Sequence, residues 1–500
     1  MEMSKAIPRI PARDSYILLY ALLVVCMLLP GWGCTSSHSQ YYEGLEDRRR
    51  RRYSKWEEAE EEHAPKMEGE LSIRDAVRFA LRHSPSLLAA LQVQEESRGR
   101  VMESYSAALP EAALSGGYTR LDQIATVDMG PESIPAGDRN NYNVDLDVTQ
   151  PLYRGGSIPA AIRTARLFSY HGEEEIREAV QETAFEVINA YYTALLESRL
   201  VEVEVAARKS ARQQLRAARE RKGEGMARRY DVLRAEVEVS NIEASLIDAR
   251  RRKEEAHTEL MRALGASQKS EVQLTGDLSR IEKKAPSLEE AVSEAFENRP
   301  DLRRATINAD MSEEALTEVT ARYLPHFSAY YNHNWARPDP HDSTRIDWGD
   351  EWQAGIKLDW TLFDGLAREG KLVQRRAELR RARIRISDAE QRAIKNVRDA
   401  LLELESADKM VETQNLNLER AREAQRLVEE GYREGIDDEI ELLDARSALT
   451  EARGLYYEAL HSQRTAWLAL RRATGKLADI RGNVNEHLPV SELREKNNEQ

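Results

Sequence analysis

The chain carries a long internal repeat, and this repeat constrains its fold more than any other feature. Matching residues of the two copies are 215 positions apart in the first part of the repeat and 210 positions apart in the rest of it. The matching segments are Leu71–Leu87 with Pro286–Leu302 and Leu109-Pro110 with Leu324-Pro325 at the first offset, then Leu152–Gly155 with Leu362–Gly365, Gly225 with Gly435 and Gly265 with Gly475 at the second. We therefore expect two similar units, residues 70–275 and 286–476, that build one structure together.

Each repeat contains stretches in which apolar and polar residues alternate, which is the pattern of a strand with one apolar and one wet face. The apolar positions are Tyr142, Val144, Leu146, Val148 and Leu152 in the first repeat and Trp352, Ala354, Ile356, Leu358, Trp360 and Leu362 in the second. Weaker strands precede them, with Ala112, Leu114 and Tyr118, and with Phe327, Ala329, Tyr331 and Trp335. This predicts one hairpin per repeat, closed by polar loops near residues 121–140 and 337–350.

Long helices surround these hairpins. Residues 156–221 and 366–430 contain no proline after Pro159, and apolar or small residues recur at spacings of three and four. Such spacing indicates coiled-coil packing. A helix of about 65 residues is roughly 100 Å long, so each helix has to pack on similar helices.

Four strands of about ten residues can cross a bilayer when tilted, but they cannot close a barrel without further strands. No later stretch approaches the 18 or so apolar residues of a membrane helix. We therefore expect a mainly α fold with membrane β structure: a 12-stranded β-barrel formed by a trimer, four strands per protomer, continuing into a long α-helical barrel. The polar lumen would be lined by Asn143, Asp145, Asp147 and Thr149.

Composition excludes several classes of protein. With 41% apolar and 32% charged residues the chain is not disordered throughout, and a net charge of −14 argues against nucleic acid as a partner. The ten histidines form no His-Glu-x-x-His motif, and no phosphate-binding glycine loop is present. We expect no catalytic site, cofactor or metal, and we place His326 and His333 along a barrel strand.

The N-terminus has the pattern of an export signal, because Lys5, Arg9 and Arg13 precede an apolar run from Tyr16 to Leu29. Residues 1–33 are predicted to be a signal peptide and Cys34 a lipidation site, although Gly31 and Trp32 depart from the usual lipoprotein pattern. Ordinary signal-peptidase cleavage nearby is the alternative. Cys26 and Cys34 are the only cysteines, so the mature body has none to bind metal or form a disulfide.

Two further segments lie outside the repeats. Residues 34–69 are predicted to be a solvated tether, with a basic run at 48–52 and a Glu-rich run at 57–62. Contact of the basic run with anionic lipid is the alternative. Residues 477–500 are predicted to be a polar C-terminal tail.

The chain resembles the TolC-type outer-membrane efflux protein family across roughly residues 70–476. The resemblance rests on the duplicated Ala-x3-Ala-x4-Pro-x-Leu helix, the Leu-Pro entry to each first strand, the Pro151–Gly156 exit from the second, and the turns at Gly225 and Gly435. It implies a homotrimer with its β-barrel in the bacterial outer membrane and its helical barrel in the periplasm. Such a duct passively exports drugs, metals, small molecules or polypeptides, and its partners are a periplasmic adaptor and an inner-membrane pump of RND or ABC type.

The resemblance also implies a periplasmic gate, where ionic and hydrogen-bond links hold the helix ends closed. The matching positions in this chain are Asp231, Tyr432, Glu441 and Asp444. Where some members have a basic residue two positions after the glycine, this chain has Asp437, so that link is absent or is made by Arg433 or Arg446. Three copies of Asp444 around a symmetry axis would attract cations; the alternative is that Asp444 caps or solvates a helix start.

The main alternative function is a periplasmic adaptor, because adaptors are also exported, sometimes lipidated, and built around helical hairpins. An adaptor needs only one such hairpin, however, whereas this sequence predicts two. Heat-resistant trimers in outer-membrane fractions would favour the duct, and a detergent-free soluble monomer would favour the adaptor.

Overall fold

The computed structural model describes residues 45–51, 65–128, 133–342 and 345–477. It divides into two units, Met1–Pro65 and Lys66–Gln500. In the first unit residues 45–51 are helical. The predicted signal peptide at residues 1–33, the lipidation site Cys34 and the tail from residue 478 lie outside the described residues.

The second unit contains eight strands in its described part. They are β1 (Glu68–Leu71), β2 (Glu111–Arg120), β3 (Ala125–Asp128), β4 (Ser133–Ala136), β5 (Asn140–Arg154), β6 (Glu271–Leu274), β7 (His326–Arg337) and β8 (Gly349–Asp359). One four-stranded antiparallel sheet has the order β2-β5-β7-β8. The predicted hairpins are therefore confirmed, and they join through β5 and β7.

The same unit contains eight α-helices in its described part. They are α1 (Ile73–His83), α2 (Pro85–Ser106), α3 (Ser157–Gly223), α4 (Arg229–Leu264), α5 (Leu288–Asn298), α6 (Pro300–Thr320), α7 (Ala367–Glu434) and α8 (Glu439–Ala473). The two predicted long helices are confirmed as α3 and α7, with 67 and 68 residues. Within the described residues, no helix has both the length and the hydropathy needed to cross a bilayer.

The helices pack side by side in a fixed order. Contacts run from α4 to α3, from α3 to α8 and from α8 to α7. Nearer the sheet they run from α2 to α3, from α3 to α6 and from α6 to α7. Each long helix thus packs on a short helix in its first half and on the following long helix in its second half.

Small residues and leucines form the core between these helices. On α7 the buried side chains include Ala393, Val397, Leu404 and Val411 at helical spacing. On α3 they include Ala184, Val187, Tyr191 and Ala194, so residues at the predicted spacings of three and four form the core.

Several features of the fold differ from the sequence-based expectation. The polar loop at residues 121–140 contains a further hairpin, β3 with β4. A parallel pair, β1 with β6, starts two residues before the predicted first repeat. Leu477, which was assigned to the tail, is 1% exposed and packs in the core with Leu71 and Leu260.

A fourth difference concerns the end of β5. The expected alternation continued to Leu152, but the register shifts between Pro151 and Tyr153, so Tyr153 and not Leu152 is paired with Phe327. Proline has no N–H to donate to a neighbouring strand, and it is commonly found at such bulges. The Tyr153 and Phe327 ring centroids lie 6.4 Å apart.

Candidate functional site

Both long helix pairs turn at a glycine. Gly225 lies two residues after the end of α3 and has φ +76°. Gly435 directly follows α7 and has φ +78°. This left-handed conformation favours glycine. A matching hydrogen bond closes each turn, from Met226 N to Arg221 O and from Ile436 N to Gly431 O, both 2.8 Å.

The second turn also has a close packing requirement. A Cβ atom at Gly431 would overlap the carboxylate of Asp437. Asp437 occupies the position where the family resemblance places a basic residue in some members. In this chain its side chain therefore packs against the last turns of α7.

Two of the predicted gate residues cap their own helices. Asp231 Oδ2 accepts a hydrogen bond from Arg228 N at 2.8 Å at the start of α4. Glu441 Oε2 accepts one from Asp438 N at 3.2 Å at the start of α8, while Asp438 accepts from Glu441 N at 2.9 Å. Asp231 and Glu441 are equivalent positions of the two repeats, and both satisfy N–H groups that a helix start leaves unpaired.

Asp444 differs from these two residues. It is exposed, and within the described residues no hydrogen bond or ion pair engages its carboxylate. The start of α8 is capped by Asp438 and not by Asp444, and the exposed Asp444 fits the part of the alternative in which it solvates the start of this helix.

Tyr432, the remaining predicted residue, joins α7 to α3. Its hydroxyl accepts a hydrogen bond from Gln214 Nε2 at 3.2 Å and another from Arg221 Nη1. The Arg221 Cζ atom lies 4.6 Å from the centre of the Tyr432 ring, a cation–π arrangement. Neither partner was identified from the sequence, because both lie more than 200 residues away along the chain.

Arg446 and Glu429 extend this link to α8. Arg446 Nη2 lies 2.7 Å from Glu429 Oε1, and Arg446 Nη1 lies 3.5 Å from Gln214 Oε1. Gln214 is only 6% exposed. We call Gln214, Arg221, Glu429, Tyr432 and Arg446 the tip network. Arg446, one of the two residues named above as a possible replacement for the missing basic residue, belongs to this network, and Arg433 does not.

The charge of Arg446 acts on Glu429. Burial alone would raise the pKa of Glu429, but the hydrogen bond and the positive charge of Arg446 outweigh it, and the pKa is lowered from its ordinary value of 4.5. Glu429 is therefore ionised at neutral pH. The ion pair connects α7 and α8 within one protomer.

The four-stranded sheet has one polar and one apolar face. On the polar face Asn332 Nδ2 donates to Asp147 Oδ1 at 2.7 Å, and Asn334 Nδ2 donates to Asp145. The opposite face includes Leu114, Trp352, Ile356 and Leu358, which are 55–72% exposed. His333 lies on β7 as expected, facing Trp352 across the strand pair.

Among the described residues, no group of three or more His, Cys, Asp and Glu side chains is placed to hold a metal ion. The arrangement instead offers a sheet with two unlike faces and two helix turns that are linked to each other. Such features serve a structure that contacts lipid on one side and water on the other.

Solved structures share this fold at low sequence identity. The outer membrane protein VceC of Vibrio cholerae is 17% identical with a TM-score of 0.68, and the match covers 81% of this chain and 96% of that one. The outer membrane channel MtrE of Neisseria gonorrhoeae in its open state is 19% identical with a TM-score of 0.68, covering 81% and 89%.

Two curated proteins are similar along most of their length. The alkaline protease secretion protein AprF of Pseudomonas aeruginosa is 23% identical over 419 residues, covering 81% of this chain and 85% of AprF. The protein CyaE of Bordetella pertussis is 25% identical over 414 residues, covering 82% and 85%. The family model described as outer membrane efflux protein matches residues 76–266 and 291–476. The chain belongs to the outer membrane efflux protein family.

Proposed function

We propose that the protein is the outer-membrane exit duct of a tripartite efflux or type I secretion system. It acts as a passive channel without a catalytic site, and an inner-membrane pump supplies the energy. The observation that carries this proposal is the sheet β2-β5-β7-β8, which has an apolar face, a polar face and two edges that no strand of the described residues pairs with. Strands of 10 to 15 residues suffice to cross a bilayer when tilted.

The open edges support a homotrimer. β2 and β8 are the edge strands, and α4 and α7 are the outermost helices of the row of long helices. β2 and α4 belong to the first repeat, and β8 and α7 belong to the second. One edge of a copy can therefore pair with the other edge of the next copy, a head-to-tail contact that closes into a ring. Three copies would give a 12-stranded barrel and a helical barrel in the periplasm.

The tip network supports a gate at the helix turns. In our proposal Tyr432 and Arg446 hold the α7–α8 pair against α3 and keep the turn in its closed position. Asp444 supplies the ring of charge at the constriction. Asp231 and Glu441 act through the turns, since they fix where α4 and α8 begin.

The partners follow from the same proposal. A periplasmic adaptor and an inner-membrane pump of RND or ABC type would dock to the helical end. AprF is named for the secretion of a protease, which favours a polypeptide cargo and an ABC-type pump among the possibilities. We further propose that residues 1–33 are removed on export and that Cys34 is acylated, which would anchor the N-terminus beside the barrel.

The test is to purify the exported chain from outer-membrane fractions and to measure its mass and conductance. We expect a trimer that resists sodium dodecyl sulfate until it is heated, and discrete channels in planar bilayers. The mass of the N-terminal peptide reports acylation of Cys34 separately. A water-soluble monomer without channel activity would reject the duct and favour the adaptor alternative.

A further inference from the structure

All four strands of the sheet meet the helices at one end, and apolar side chains are exposed there. We call this group the apolar collar; its members, 44–79% exposed, are Leu109, Leu152, Leu324, Trp360, Leu362, Phe363 and Leu366. Trp360 Nε1 donates to Tyr323 O at 3.2 Å. Exposed aromatic and aliphatic residues at strand ends are typical of the boundary between hydrocarbon and headgroups.

Directly after the apolar collar the chain becomes strongly basic. Residues 367–386, the first turns of α7, hold eight basic and two acidic residues, a net charge of +6. The equivalent residues of the first repeat, 157–176, hold two basic and three acidic residues, a net charge of −1. We call residues 367–386 the basic segment. Its charge is a property of the second repeat alone.

The start of the basic segment is fixed to the strand end. Arg368 is 9% exposed and pairs with Asp364, with Nε and Oδ2 2.9 Å apart. It also donates to Arg322 O and Leu362 O, each at 3.1 Å. The rest of the basic segment therefore keeps a set distance from the apolar collar.

Four arginines of the basic segment are exposed and make no hydrogen bond or ion pair within the described residues; they are Arg376, Arg380, Arg381 and Arg385. Of these, Arg376 and Arg380 lie four residues apart on one face of α7. The nearby acids are engaged elsewhere: Glu378 pairs with Arg375 at 2.7 Å, and Glu313 lies 3.8 Å from Arg383. Within the described residues no acidic side chain pairs with Arg376 or Arg380, so both guanidinium groups are free to bind an anion.

Distance along the helix favours a partner at the membrane surface. Arg376 and Arg380 lie about 14 and 20 Å along the axis from the start of α7. Helical side chains lean toward the N-terminus, which here is the sheet end, and a long arginine can extend its charge several ångströms further. A headgroup layer that extends about 5–7 Å from the apolar collar toward the helices then comes close to the charge of Arg376 and within about one Debye length, roughly 8 Å, of the charge of Arg380.

We propose that the basic segment binds anionic phospholipid headgroups of the leaflet that borders the apolar collar, through Arg376 and Arg380. This inference rests on the proposed membrane position of the sheet and adds a lipid preference to it. Phosphate groups supply the negative charge, and the apolar collar continues the lipid-facing surface of the strands down to them. The contact would fix how deeply the sheet sits in the bilayer.

The test uses the full-length membrane protein and two synthetic lipids, dioleoylphosphatidylglycerol and dioleoylphosphatidylcholine. Lipid retention by the detergent-solubilised protein is titrated by native mass spectrometry for the unmodified chain and for Arg376→Gln with Arg380→Gln. The matched control is Arg420→Gln with Arg422→Gln, because these arginines are also exposed on α7 and unpaired within the described residues. They lie about 80 Å from the start of α7.

We expect the unmodified chain and the control to prefer phosphatidylglycerol, and the Arg376 and Arg380 variant to bind it about fivefold more weakly per arginine removed. Equal preference in all three proteins overturns the inference. So does dissociation of the variant into monomers without any change in lipid preference, which would mean that a neighbouring copy covers these arginines. Displacement of the bound lipid by polyglutamate, but not by neutral lipid, is the result that would instead indicate an acidic polypeptide partner. Flotation of proteoliposomes distinguishes failure of the lipid-binding inference from failure of the proposed function. A protein that does not enter bilayers at all contradicts the proposed function itself.

Discussion

Arg446 and Glu429 form an ion pair between α8 and α7, with Nη2 and Oε1 2.7 Å apart. The same arginine reaches the buried amide of Gln214 on α3. Three long helices are thus connected through one guanidinium group close to the turn. The strength of this connection can be changed without touching the helix caps.

Replacing Glu429 by Gln is expected to favour the open turn. The pair is about one quarter exposed on each side, so after allowing for solvent its loss costs about 1 kcal/mol, or about a fivefold shift of the closed-to-open ratio per protomer. Single-channel recording should show a higher open probability. Glu430→Gln is the control, because Glu430 pairs with exposed Arg426 instead; equal effects of both changes would contradict the link.

The same pair predicts a pH dependence. Because the pKa of Glu429 is lowered in the folded protein, the link is at full strength above the ordinary value of 4.5 and is lost as the pH falls further below it. Channel opening of the unmodified protein should therefore increase in that acidic range. Glu429→Gln should lack this part of the response, and a response that is identical in both proteins would assign it to other acids.

The charge at Asp444 gives a separate prediction about selectivity. Asp444→Asn should lower the preference for cations, because three exposed carboxylates near the axis attract them. Reversal potentials under a salt gradient measure this preference. Asp437→Asn, seven residues earlier in the chain, is the matched control, and a change in selectivity there but not at Asp444 would remove Asp444 from the constriction.

The tip network shows why some of the site was predictable and some was not. The positions of Asp231, Tyr432, Glu441 and Asp444 came from the family resemblance, aligned on the glycine turns, and their gate role stays a prediction. Their individual contacts were not predictable, since capping depends on a hydrogen bond three residues away, and Tyr432 is bound by Gln214 and Arg221 from a distant helix. Sequence periodicity reports which face of a helix is buried, but not which polar groups meet there.

In the fold, too, some features were predictable from the sequence and others were not. Alternation along β5 and β8 predicted both hairpins, and spacings of three and four predicted α3 and α7, because these patterns repeat over many residues. The parallel pair β1 with β6 has only four residues per strand, too few for a pattern. The bulge near Leu152 depends on a missing proline N–H, a local feature that interrupts an otherwise regular alternation.

Gln463 provides a prediction about stability away from the turns. It is 1% exposed, accepts from Ile281 N at 2.9 Å, and donates to Ile281 O at 3.1 Å and to Asp408 at 2.6 Å. Gln463→Leu removes these partners and leaves buried polar groups unpaired, at a cost of about 2–4 kcal/mol. Limited proteolysis should cut near residue 281 sooner than in the unmodified protein, and unchanged cleavage would contradict this anchoring role.

The apolar and polar faces of β8 are expected to differ in how well they tolerate a charged substitution. Ile356 is 72% exposed on the apolar face, and Gln353, three residues earlier, is exposed on the polar face of the same strand. An arginine facing lipid near the bilayer centre costs about 2–4 kcal/mol, whereas one in a wet lumen costs little. Ile356→Arg should therefore reduce the heat-resistant trimer in outer-membrane fractions, while Gln353→Arg should leave it intact and lower cation conductance. If Gln353→Arg were instead the variant that fails to assemble, the face of the sheet that carries Gln353 would be the one that contacts lipid.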